Sequence, residues 1–114
     1  MRNASLSDFE EIVLLTVGIL YDDAYGLAIT DEIEQRTGRT HTISSVHKTL
    51  MRLEERGMLR SEMGGATEAR GGRKKRLFNI TNTGKEALYE AKQTREKLWQ
   101  AVPKVVWDLK SSWA

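Results

Sequence analysis

The segment that most constrains this chain runs from Gly64 to Lys75. It contains Gly64, Gly65, Gly71 and Gly72, and the run from Arg70 to Arg76 carries five bases in seven residues. Stretches of strand length with apolar content flank it, Met58 to Met63 on one side and Leu77 to Ile80 on the other. Strand, glycine-rich basic segment, strand is the pattern of a β-hairpin with a flexible, positively charged tip. The segment is longer than a tight turn, which predicts a mobile tip. Few structural needs call for so many bases on one loop.

Three short helices are predicted ahead of the hairpin. Ser7 followed by Glu10 is a capping box, and Asp8 and Glu11 suit a positive helix N-terminus. Phe9, Ile12, Val13, Thr16, Ile19 and Leu20 then recur as one apolar stripe, which Asp22-Asp23 breaks. The second helix is expected from Gly26 to Arg36, with Tyr25-Gly26 at its entrance, Leu27, Ile29 and Ile33 as apolar contacts and Gly38 as its stop. In the third, Ser44 or Ser45 is the expected cap, with Ile43 just outside as a staple. Val46, Leu50 and Leu53 form its apolar stripe, and Gly57 ends it.

After the hairpin, Thr81 caps a long final helix in which Leu88, Ala91, Leu98 and Val102 recur at helical spacing. Trp99, Val105, Val106, Trp107, Leu109 and Trp113 extend the apolar content, and Pro103 is expected to kink or break the helix. The order of elements predicts a mostly α fold with a β-hairpin wing. Residues 1–80 form a winged helix-turn-helix domain, and residues 81–114 form a long C-terminal dimerisation helix and tail.

Charge is distributed unevenly. Residues 1–35 hold one base against eight acids, for −7, whereas residues 36–76 hold eleven bases against four acids, for +7. A basic middle beside an acidic start points to a polyanion met by one face of the molecule. The absence of cysteine excludes disulfides, thiolate metal sites and a cysteine nucleophile, and is compatible with the cytoplasm. No signal peptide is visible, and the longest apolar run, Ile12–Leu15, is far short of the ~20 residues a membrane span needs. No phosphate-binding loop is present, and Asp22-Asp23 and Glu54-Glu55 are adjacent pairs whose side chains point apart. An enzyme, a metal and a cofactor are therefore not expected.

Double-stranded DNA is the polyanion that this geometry fits. A helix about 10–12 Å across enters a major groove about 12 Å wide, and its N-terminal end points at base edges. That end of the third helix carries Thr42, Ser44, Ser45, His47 and Lys48, and Arg52 shares a face with Lys48 one turn on. Arg70, Arg73, Lys74, Lys75 and Arg76 are the candidates for gripping the neighbouring backbone or minor groove from the wing, although strand alternation turns some bases away. Ser and Thr ahead of a helix also serve as ordinary caps.

Four stretches carry a resemblance to a known family: Tyr25-Gly26, the run from Leu50 to Gly57, the wing from Gly71 to Arg76, and Ile80-Thr81-Asn82-Thr83-Gly84. In this order and spacing they resemble the PadR family of bacterial regulators over Leu6 to Ala91. The resemblance implies a repressor that binds paired half-sites as a homodimer through its C-terminal helix. The single terminal helix is similar to the short branch of the family, some members of which regulate multidrug exporters and take flat aromatic ligands between subunits. Leu88, Ala91, Leu98 and Val102 are candidates for the dimer contact, where Trp99, Trp107 and Trp113 also suit packing against a second copy, and the resemblance makes Trp99 alternatively a candidate for contacting a planar aromatic effector. His47 stands where the family usually has tyrosine. A MarR-like or penicillinase-repressor-like regulator is an alternative, and so is a winged-helix protein-interaction module that does not bind DNA.

Overall fold

The computed structural model describes residues 5–64 and 75–108. Helices α1 (Asp8–Leu20), α2 (Gly26–Thr37) and α3 (Ile43–Glu55) are followed by strands β1 (Leu59–Gly64) and β2 (Lys75–Ile80) and by helices α4 (Asn82–Ala101) and α5 (Lys104–Trp107). This is the winged helix-turn-helix order expected from the sequence.

The start of α1 is the predicted capping box. Ser7 Oγ accepts from the Glu10 N–H at 3.1 Å, and Glu10 Oε1 accepts from the Ser7 N–H at 2.8 Å. Helix α2 stops at Gly38, whose φ of 74° is a left-handed conformation that glycine adopts without strain. Helix α3 ends in a Schellman arrangement. Gly57, at φ 78°, donates to the Glu54 carbonyl at 3.0 Å, and Met58 donates to the Leu53 carbonyl at 2.9 Å.

The core is shared by every major element. Val13, Leu14 and Val17 from α1 meet Ile29 and Ile33 from α2 and Val46, Leu50 and Leu53 from α3. Met58, Leu59 and Phe78 close it from the hairpin side, and Ala87 closes it from α4. Strands β1 and β2 pair antiparallel from Leu59↔Ile80 to Gly64↔Lys75. The backbone N–H of Phe78 also donates to the Ala24 carbonyl at 2.9 Å, tying the turn before α2 to β2.

Several sequence expectations are corrected in detail. Thr42, and neither Ser44 nor Ser45, caps α3: its hydroxyl accepts from the Ser45 N–H at 3.0 Å. Ile43 therefore lies inside the helix, and it is exposed. The buried face of α1 is rotated from the predicted stripe, so that Leu14 and Val17 are buried and Ile19 is exposed. Leu27, expected to pack inward, is also exposed.

Thr81 caps α4 as predicted, accepting from the Gly84 N–H at 3.1 Å while its hydroxyl donates to the Gly57 carbonyl at 2.6 Å. A Cβ at Gly84 would collide with the Met58 carbonyl, so glycine here permits close approach of α4 to the α3–β1 turn. Beyond Leu88 the helix leaves the core. The radius of gyration is 17.5 Å, against about 13 Å for a compact chain of this length. Val102 is extended, as a residue before proline prefers, and Pro103 is the N-cap of α5. Among the described residues no helix is long and apolar enough to cross a membrane.

Candidate nucleic-acid interface

Helix α3 divides into two faces. Val46, Thr49, Leu50 and Leu53 are buried, which turns Ser44, His47, Lys48 and Arg52 to solvent. Ser45 is half-buried at the edge, and Thr42 stands exposed at the N-terminus, its oxygen already engaged as the cap. Shallow depressions lie on both sides of the ridge made by Lys48 and Arg52. One is bordered by Thr42, Ser44 and Ser45, the other by His47, Met51 and Glu55. The structure thus brings Thr42, Ser44, Ser45, His47, Lys48 and Arg52 together at one exposed end and face of a single helix. Hydroxyl, imidazole, ammonium and guanidinium groups there can hydrogen-bond base edges and phosphates.

The wing candidates divide differently. Arg70, Arg73 and Lys74 lie outside the described residues. The Lys75 ammonium sits 3.3 Å from the centroid of the Tyr25 ring, with Asp23 Oδ1 4.0 Å away, and its side chain is largely buried. Its neighbour Arg76 points across the other side of the strand. There it donates to Ser61 Oγ at 2.8 Å, and Ser61 in turn donates to Glu54 Oε2 at 2.8 Å.

The support of α3 includes a pair that sequence reasoning missed. Arg56 Nη1 lies 3.0 Å from Glu10 Oε1, and Arg56 Nη2 donates to the Ser5 carbonyl at 2.9 Å. Glu10 is buried, and burial alone would raise its pKa. The Ser7 N–H, the hydrogen bond and charge of Arg56, and the Ser7 hydroxyl together outweigh this and hold the carboxyl below its ordinary value. The signal was faint: Glu10 reads as an ordinary capping-box residue.

Helix α4 lies across α1. Arg95 Nη2 donates to Glu11 Oε1 at 2.9 Å and lies 3.9 Å from Asp8 Oδ1. Grooves open on either side of Arg95, the first with polar side chains such as Glu86, Glu90 and Thr94 among its apolar ones, the second mainly apolar. Leu6, Ala87, Ala91 and Leu98 line one, and Leu15, Leu88 and Trp99 line the other. Leu88 is half-buried against the core, Ala91 and Val102 are half-buried, and Leu98 and Trp99 are 64% and 63% exposed. The Trp99 ring stacks on Trp107 with centroids 4.7 Å apart.

A helix-turn-helix with an exposed polar face on α3 and a two-stranded wing defines a winged-helix protein. The description "Transcriptional regulator PadR-like family" matches residues 14–90. The chain belongs to this family of transcriptional regulators. No curated protein matches it in sequence. Among solved structures it is similar to a PadR-like transcriptional regulator from Bacillus cereus, with 19% identity and a TM-score of 0.69, covering 92% of this chain and 93% of that one. A PadR family transcription regulator from Clostridium difficile is similar at 26% identity and a TM-score of 0.64, covering 81% and 92%. Bacillus subtilis PadR in complex with operator DNA is similar at 16% identity and a TM-score of 0.59, covering 86% of this chain and 53% of that one.

Proposed function

We propose that this chain is a non-enzymatic, cytoplasmic repressor that binds a specific double-stranded DNA sequence as a homodimer. The observation that carries the reading is the exposed face of α3, where Ser44, His47, Lys48 and Arg52 stand together while the opposite face is packed into the core. Ser44, His47 and Lys48 supply base-edge contacts, with Thr42 and Ser45 beside them, and Arg52 supplies charge. Arg70, Arg73 and Lys74, carried by the wing, add phosphate contacts. The solved complex of Bacillus subtilis PadR with operator DNA supports DNA as the partner.

Pairing follows from α4. Leu98 and Trp99 are exposed apolar side chains on a helix that projects from the core, Ala91 shares the Leu98 side two turns earlier, and Val102 follows the end of the helix in extended conformation. A second copy would cover this surface. Two copies reading half-sites about 34 Å apart gain affinity from their linkage. A planar aromatic effector at Trp99 would have to share or displace Trp107.

Fluorescence anisotropy with DNA from upstream of its own gene and with scrambled DNA, across a salt series, tests the reading. Preferential binding that weakens steeply with salt, by a log–log slope of about −0.9 per phosphate contact, is the expected result. Failure to bind either DNA at low salt would favour the protein-interaction module.

A further inference from the structure

Two adjacent residues at the far end of the paired strands, Lys75 and Arg76, each reach one of the two helices of the helix-turn-helix. Lys75 lies over the Tyr25 ring at the N-cap of α2, with Asp23 near its ammonium. Arg76, on the opposite face of β2, donates to Ser61 Oγ. Ser61 is tied to Glu54 in the last turn of α3, and Arg76 Nη1 is 3.8 Å from the second oxygen of that carboxylate. These contacts lie at the end of the hairpin, at and near the Gly64↔Lys75 pair, where paired backbone alone leaves a two-stranded ribbon free to twist.

We propose that Lys75 and Arg76 are positioning residues that fix the angle of the wing against α2 and α3, and that neither is itself a DNA contact. The inference rests on the DNA-binding reading above. Its physical basis is that both cationic groups already have partners. An ammonium 3.3 Å from an aromatic centroid and beside a carboxylate would have to give up both contacts to reach a phosphate. Arg76 would likewise leave Ser61 and Glu54. The arrangement assigns an indirect role in DNA affinity to two uncharged side chains, Tyr25 and Ser61.

The test is a pair of double-mutant cycles read in DNA affinity, using the full-length protein and the DNA from upstream of its own gene. Tyr25→Leu and Lys75→Met are each expected to weaken binding about threefold to tenfold, with the double variant no weaker than the worse single one. Tyr25→Phe, which keeps the ring, is expected to retain affinity. Ser61→Ala with Arg76→Met forms the second cycle, with the same expected non-additivity, and it decides the matter if Tyr25→Leu fails to fold. The proposal is overturned if Tyr25→Leu and Ser61→Ala fold and bind as the wild type does while Lys75→Met and Arg76→Met weaken binding equally in either background. That pattern would make both bases direct phosphate contacts. A wild-type chain that binds no DNA would remove the DNA-binding reading, a failure visible before any variant is made.

Discussion

The helix-turn-helix body and the α4 arm solve opposite problems with similar apolar content. In the body, Leu50, Leu53, Ile29, Ile33 and Phe78 are buried, and what α3 leaves outside is mostly polar. In the arm, Leu98, Trp99, Val105, Val106 and Trp107 are all exposed, apart from the stacking of Trp99 on Trp107. The body buries its largest apolar side chains, although Ile19, Leu27 and Ile43 stay exposed, and on α3 it presents hydrogen-bonding groups. The arm presents hydrophobic surface that the other described residues leave uncovered, a surface suited to another molecule. Exposure alone therefore does not mark the functional face. Its chemistry separates a surface suited to nucleic acid from one suited to a second protein chain.

The contrast can be broken by substitution. Leu50→Ala cuts into the shared core and is expected to lower unfolding stability by about 2–5 kcal/mol, measured by urea denaturation. Leu98→Glu is expected to leave the fold of each chain intact and weaken self-association about a hundredfold, because a carboxylate replaces an apolar contact on both copies. Sedimentation equilibrium measures this, and an unchanged association constant would mean that the proposed pairing does not use this side of α4.

Glu10→Gln sharpens the picture of how α3 is held. Removing the charge facing Arg56 is expected to cost about 1–3 kcal/mol at neutral pH. The folded state holds the Glu10 carboxyl below its ordinary pKa, so its contribution is fully present above the unfolded carboxylate pKa and fades as pH falls through the folded value. The stability difference between wild type and variant should therefore narrow as the solution is acidified, in thermal melts run as a pH series.

Much of this architecture was legible because it depends on local rules. The Ser7–Glu10 box, the glycine stops at Gly38 and Gly57, the Thr81 cap and the Pro103 break all follow from residue types at short spacing. The polar face of α3 followed from the stripe of Val46, Leu50 and Leu53 opposite it. Long-range pairings were not legible. Nothing near Lys75 in sequence indicates that it faces Tyr25, fifty positions earlier, and nothing near Glu10 indicates Arg56. Phe9 and His41 stack at 4.4 Å for the same reason: helix packing brings together residues that no local pattern links. The cap of α3 was misplaced because Thr42, Ser44 and Ser45 are all competent N-cap residues, and tertiary packing selects among them.

The claim that α3 reads sequence is tested most directly by Lys48→Ala. Its affinity would be measured for DNA from upstream of its own gene and for scrambled DNA under one salt condition. Loss of a base contact is expected to narrow the preference between the two by about tenfold, within the ~1–3 kcal/mol carried by a good base contact, with scrambled DNA affected much less. Equal loss on both DNAs would make Lys48 a phosphate contact, and unchanged binding to both would place DNA recognition away from this face of α3.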